Sequence, residues 1–207
     1  VSAARWTLTE LPQSARIGTG SRRRAAQLQS IRGDLKIEPI RGNVQTRLQK
    51  LADGEFDAIM LAHAGLLRLQ MHDVSCVTLS LEDMLPAPGQ GALGIEVRSE
   101  DQESLEAVQP LNHVATRAAV TAERKILAAL HGGCLAPIAA YAEVSEAELR
   151  MRSVVLSQNG SDRLDEQHRV AFSPDQWEHS ASELAEHVTA ALVHRGAADL
   201  IQDQRTG

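Results

Sequence analysis

The sequence predicts an α/β chain: a βαβαβ unit with a parallel sheet, followed by a small α+β unit. Three observations carry this. Residues 15–85 alternate short apolar runs with amphipathic stretches, the rhythm of parallel strands with helices on both faces. The segment LEDMLPAPGQGALG, residues 81–94, is too rich in Pro and Gly to hold a regular helix and reads as a crossing between domains. Beyond Pro137 come three strand-like runs and one helical pattern.

In the first unit, residues 15–17, 35–40 and 58–62 read as strands, with helices starting from Ser21 and from Asn43. Ligands of such a sheet sit beyond the carboxyl ends of the strands, at the helix N-termini. After the crossing, residues 92–97 are expected as a strand and residues 102–108 as a short helix. Residues 113–130 should form a long helix, with Val114, Arg117, Ala118, Thr121, Ile126 and Ala129 marking its turns and Gly132-Gly133 stopping it. Strands at 138–144, 149–156 and 164–172 and a helix over 174–194 complete the α+β unit, and the tail after Gln202 is expected to be irregular.

Composition narrows the function classes. With 207 residues, 43% of them hydrophobic, the chain can bury one sizeable core or two smaller ones. The apolar stretch 59–67 is interrupted by His63 and is far shorter than the roughly 18–20 residues of a membrane span, so no membrane partner is expected. The first ten residues lack a basic start, an apolar run and a small-residue cleavage site, which points to the cytoplasm. The chain opens on Val1 rather than Met, and its first residues read as the continuation of a longer protein. Cys76 and Cys134 lie far apart, and the eight histidines show no metal-ligand spacing, so neither a disulfide nor a metal site is expected.

The net charge of −6 hides an uneven distribution. Residues 16–50 hold nine Lys/Arg against Asp34 and Glu38, +7 locally, so the remainder carries −13. That pattern fits one focused anion site and not a generally basic nucleic-acid binder. Single-strand binders also interleave aromatics with their cations, and none lies between Arg16 and Lys50. No nucleic-acid partner is expected.

Two basic motifs follow strands. In Gly18-Thr19-Gly20-Ser21-Arg22-Arg23-Arg24 the glycines admit a close ligand, Thr19 and Ser21 offer hydroxyls, and the free N–H groups of the first helical turn face an anion. In Arg41-Gly42-Asn43-Val44-Gln45-Thr46-Arg47 the two arginines flank a second turn. Arginine forks suit carboxylates, and the two motifs together suit a ligand bearing several of them. A third motif, His131-Gly132-Gly133-Cys134-Leu135-Ala136-Pro137, clears side chains from around a thiol. Two readings stay open for it: an accessible nucleophile, or a helix end followed by a buried structural cysteine.

Taken in order, GTGSRRRAAQL (18–28), RGNVQTRLQKL with the later Gly54-Glu55 and Asp57-Ala58-Ile59 (41–59), LA-AGL-RL (61–69), PGQGALGIEVR (88–98), TAER (121–124) and GGC-AP (132–137) resemble the porphobilinogen deaminase family. The resemblance implies a transferase of tetrapyrrole (heme, porphyrin) biosynthesis, hydroxymethylbilane synthase. Such an enzyme joins four porphobilinogen molecules with release of ammonia on a covalent dipyrromethane primer. It implies that Cys134 carries this cofactor by a thioether. Thr19, Ser21, Arg23 and Arg24 would hold its carboxylates, and Arg41 and Arg47 would face porphobilinogen or the growing oligopyrrole. Arg68 and Gln90 are further candidates, the one otherwise a surface helix residue, the other otherwise part of a turn.

The implied fold is a periplasmic-binding-protein-like βαβ domain over 1–88, a crossing with the remnant of another domain over 89–112, and a small C-terminal α+β domain over 113–207 bearing the cysteine. Departures are Gly20 and Arg22, where the family more often has Ser and Leu, and the lack of a segment matching the N-terminal domain with its catalytic Asp. The expectation is therefore a fragment with little activity until that domain is supplied. A non-catalytic module binding small anions is the alternative.

Overall fold

The computed structural model describes residues 1–130 and 136–202. They divide into two compact units, the first running from Val1 to Met84 and taking in the later Leu156–Arg163 segment, the second holding most of the rest.

The first unit follows the expected rhythm: β1 (Arg16–Gly18), α1 (Arg22–Ile31), β2 (Lys36–Glu38), α2 (Val44–Ala52), β3 (Ala58–Ile59) and α3 (His63–Arg68). The strands form one parallel sheet in the order β2-β1-β3, with Ile17 beside Ile37 and Ala58. Because β1 is central, the two right-handed crossovers put α1 and α2 on opposite faces. Two apolar clusters reflect this. One gathers Leu11, Ala15, Ile17, Leu28 of α1, Leu35 and Ala58. The other gathers Ile40, Phe56 and Ile59 with Leu48 and Leu51 of α2. β2 is shorter than the 35–40 reading because Pro39 has no N–H to give the ladder.

The unit also includes the turn at Gly160, which presses on α1. A Cβ at Gly160 would stand 2.7 Å from the Ser30 nitrogen and closer still to the Ala26 carbonyl, and φ is +71°. Only glycine fits this seat. Arg163 donates to Ser30 Oγ beside it, at 3.2 Å.

In the second unit, α4 (Gln102–Val108) and a 3₁₀ turn lead to α5 (Val114–Ala129). Strands β4 (Ile138–Ser145), β5 (Glu148–Leu156) and β6 (Arg163–Ala171) make a sheet in that order, and α6 (Trp177–His194) and α7 (Ala197–Gln202) follow. β4 and β5 are antiparallel from Ile138↔Val155 to Ser145↔Glu148. The two-residue turn between them places Glu146 and Ala147 at φ +52° and +61°, the primed geometry that matches strand twist. Ala118, Ala122 and Ile126 of α5 and Leu184, Val188 and Leu192 of α6 are fully buried. The chain is mixed α/β, as the sequence predicts, with a parallel sheet in the first unit and an antiparallel β4–β5 pair in the second.

Two points differ. Residues 92–97 form no strand, and Leu93 is 91% and Ile95 56% exposed. A strand exists only through a neighbour's hydrogen bonds, and among the described residues none is offered there. α7, entered through Gly196 at φ +90°, was not expected. α5 ends at Ala129, with the Leu130 N–H on the Ile126 carbonyl. The expected stop at Gly132-Gly133 and the tail after Gln202 lie outside the described residues. No helix among them is long and apolar enough to cross a membrane.

Candidate anion-binding site

At the carboxyl end of β1 the chain turns into α1 through three linked hydrogen bonds. The Thr19 N–H donates to the Glu38 carbonyl (3.0 Å), Thr19 Oγ1 accepts from the Ser21 N–H (3.2 Å), and Ser21 Oγ caps α1 by accepting from the Arg24 N–H (3.4 Å). Each hydroxyl keeps its own hydrogen to donate. Gly18 packs closely, and a Cβ there would lie 3.1 Å from both Ile59 and Phe56, whose side chains would have to shift by a few tenths of an ångström.

The turn after β2 repeats the device. Asn43 Oδ1 accepts from the Thr46 N–H (2.8 Å) and from its hydroxyl (2.9 Å), capping α2. Gly42 sits at φ +115°, where a Cβ would meet Thr46 at 2.8 Å. Arg47 reaches back and donates Nε to the Gly42 carbonyl (2.9 Å). Neither α1 nor α2 has an acidic residue in its first turn, so the positive ends of both helix dipoles are left uncompensated by side chains of that turn.

The arginines of these turns interact unfavourably with each other. Arg23 and Arg24 are half-buried, and loss of water lowers the pKa of both. The Arg24 charge adds to the effect on Arg23, and the Arg47 charge to that on Arg24. Arg23 Nε is buried without a hydrogen-bond partner. Among the described residues no carboxylate forms an ion pair with Arg23, Arg24, Arg41 or Arg47. Half-buried cations that repel one another and lack counter-charges would be stabilised by an anion placed beside them.

The structure thus brings Thr19, Ser21, Arg23, Arg24 and Arg47 to one end of the sheet, with Arg41 exposed at the same end. Arg68 is exposed in the last turn of α3. Gln90 is exposed in a turn of the second unit, where its N–H donates to the Ala87 carbonyl (2.9 Å). Cys134 lies outside the described residues. Among the described residues no group of three or more His, Cys, Asp or Glu could hold a metal ion.

One residue of consequence had no role in the sequence reading. Glu123, in the TAER stretch of α5, is only 5% exposed. Its Oε2 accepts from the Gly89 N–H (2.6 Å) and its Oε1 from the Ala142 N–H (2.7 Å). Burial raises its pKa, against the two N–H donors that lower it. The available signal was its place beside Ala119, Ala122 and Ile126 on the apolar face of the helix.

Residues 1–106 match the family profile "Porphobilinogen deaminase, dipyromethane cofactor binding domain", and residues 117–192 match that of the C-terminal domain of the same enzyme. The chain belongs to the porphobilinogen deaminase family. Curated relatives named porphobilinogen deaminase include those of Thermobifida fusca (44% identical over 202 residues), Corynebacterium glutamicum (41% over 201) and Chlorobium phaeobacteroides (44% over 207). These alignments cover 96%, 96% and 99% of this chain but 63%, 65% and 65% of the respective relatives. The chain therefore spans less than two thirds of the length of these porphobilinogen deaminases. The cation cluster lies wholly within the stretch matching the cofactor-binding domain.

Proposed function

We propose that this chain is the cofactor-bearing part of a porphobilinogen deaminase (hydroxymethylbilane synthase), which joins four porphobilinogen units into hydroxymethylbilane with loss of ammonia. The observation that carries this reading is the cluster Arg23, Arg24 and Arg47, half-buried, mutually repelling and without carboxylate partners. Dipyrromethane, porphobilinogen and the growing oligopyrrole all bear carboxylate side chains, which are the missing counter-charges. Cys134 is the attachment point, since its thiolate is a soft nucleophile for a thioether. When bound, the dipyrromethane supplies the pyrrole end from which the chain of rings grows.

In this reading Thr19 and Ser21 donate their hydroxyl hydrogens to cofactor carboxylates, and Arg23 and Arg24 neutralise them. Arg41 and Arg47, with Arg68 and Gln90 as further contacts, receive the substrate. Residues 1–88 act as the periplasmic-binding-protein-like cofactor domain, 89–112 as the crossing and the remnant of a further domain, and 113–207 as the C-terminal domain. The enzyme works in the cytoplasm, where thiols stay reduced. The remaining partner is the N-terminal domain carrying the catalytic Asp. Exposed Leu93 and Ile95, apolar at strand spacing and without a ladder, fit a segment that completes its sheet on that domain. Without it the chain turns over little or no porphobilinogen.

Intact-mass spectrometry of the purified 207-residue chain tests the reading. A dipyrromethane-sized adduct lost in Cys134→Ser is expected. A bare thiol, together with small dicarboxylates that stabilise the chain equally well before and after Cys134→Ser, would favour the non-catalytic anion module.

A further inference from the structure

We propose that His168 of β6 and His187 of α6 form a binding site for a borderline divalent transition-metal ion, of the class of Ni²⁺, Cu²⁺ and Zn²⁺. Both side chains are exposed, and their rings are in contact, with centroids 4.6 Å apart and planes inclined at 55°. Neither ring has a hydrogen bond or ion pair with any described residue, so the ring nitrogens are not spent on the fold. The two residues are far apart in the chain, and no sequence spacing reveals them.

The backbone fixes this meeting. On one side of the pair, Ser180 Oγ of α6 donates to the Ala171 carbonyl of β6 at 2.9 Å. On the other, Arg195, just after α6, pairs with Glu166 at 3.6 Å and donates to the Asp165 carbonyl. His168 stands three residues from each of the strand anchors Asp165 and Ala171, about 10 Å of strand. His187 stands seven residues from Ser180 and eight from Arg195, about 10–12 Å of helix. The matching rises bring the two rings opposite each other, midway between the ties. Val170 on the strand and Leu184 and Val188 on the helix are buried, so the elements cannot slide past each other without opening the core. All of these residues belong to the second unit.

The separation fits a shared ion. With metal–nitrogen bonds of about 2.0–2.1 Å and about 1.1 Å from a ring nitrogen to its ring centre, two imidazoles on one ion have centroids about 4.5–5.2 Å apart for angles of about 90–109° at the metal. The observed 4.6 Å lies within that span. Imidazole is the ligand these ions share, whereas Mg²⁺ and Ca²⁺ take oxygens. Among the described residues no group of three or more His, Cys, Asp or Glu could hold an ion, so the pair has no third protein ligand. Glu183, one turn before His187, faces His179 at 3.9 Å, and Glu166 is with Arg195. With water in the remaining positions, the ion acts as a clamp between the edge strand β6 and α6.

The site is independent of the reading given to the arginine cluster. Calorimetric titration of NiCl₂ into the 207-residue chain, in a chelator-free buffer, tests it. Ni²⁺ should bind, with an affinity that falls at least about tenfold in His168→Gln and in His187→Gln, no less than the loss of an outer-shell partner costs. His179→Gln, an exposed histidine two turns earlier on α6, should leave the affinity unchanged. Melting temperature should rise with Ni²⁺ concentration in the parent chain and not in the two site variants, and MgCl₂ should raise it in none of them.

Cys76 and Cys134 are present in every variant, so binding through a thiol would survive both changes. A measurement on the parent chain covers the case of a variant that folds poorly: paramagnetic Ni²⁺ should broaden the ring signals of His168 and His187 before those of the other histidines. Undiminished Ni²⁺ affinity in either site variant, an equal loss in His179→Gln, or broadening spread evenly over the histidines overturns the proposal.

Discussion

Arg16 and Arg32, at the amino ends of the parallel strands, each meet a carboxylate, Asp57 at 3.4 Å and Asp34 at 2.7 Å. Arg23, Arg24 and Arg47, in the turns and helix starts that follow β1 and β2 at the carboxyl end of the same sheet, meet no carboxylate among the described residues and repel one another. Asp34 also accepts from the Ser14 N–H, and Arg32 donates to the Leu8, Leu11 and Pro12 carbonyls, so the amino end is closed by its own groups. One residue type serves two ends of a single sheet. Where it is paired it holds the fold; where it has no carboxylate it costs stability, which the proposed site would explain.

The sharpest way to break this contrast is Arg24→Ala. It should weaken binding of a small dicarboxylate about 10- to 100-fold, corresponding to loss of one charge-assisted bond of about 1.5–3 kcal/mol. Calorimetric titration checks this, and an unchanged affinity would remove Arg24 from the site. Arg23→Met should act in the opposite direction on the empty chain. Removing a desolvated, unpartnered cation should raise stability by about 1 kcal/mol while reducing ligand affinity. The mirror change at the other end, Arg32→Met, should lower the melting temperature and leave affinity alone. Thermal melts with and without ligand separate the two.

The smallest effect is in the pH dependence. The Arg16 N–H and guanidinium hold the Asp57 carboxyl below its usual range. Its contribution is present above the unfolded value near about 4 and is lost as pH falls through the folded value. Asp57→Asn should therefore flatten the acid limb of the stability curve. Glu123 works with the opposite sign. Burial raises its folded pKa, so the folded chain holds this proton more tightly than the unfolded one, and stability declines as pH rises from the unfolded value through the raised one. Melting temperatures of the parent, Asp57→Asn and Glu123→Gln across the acid range would show the two slopes.

Much of this was legible in the sequence. Gly/Ser and Gly/Asn turns between an apolar run and an amphipathic one give both a strand end and a helix start from local chemistry alone, and both appear where the motifs lie. The cations following them could be read as an anion site for the same reason. Residues 92–97 were not legible, because alternation records the need for a ladder and not the presence of one. Glu123 was missed because TAER looks like any helical stretch until the residues 34 positions before it and 19 after it are brought to its two oxygens. The pairing of Arg16 with Asp57 is likewise a contact across 41 residues that composition cannot assign.

The seat of Gly160 on α1 has a practical meaning for anyone who would dissect this protein. A stretch nearly as late as residue 163 is built into the body formed by the first 84 residues. Scissors applied after Met84 would strip α1 of its outer neighbour and leave the backbone around Ala26 and Ser30 bare. Independent expression of the early half should accordingly yield a less robust helix under Arg23 and Arg24, even though every residue of the cation cluster is still present.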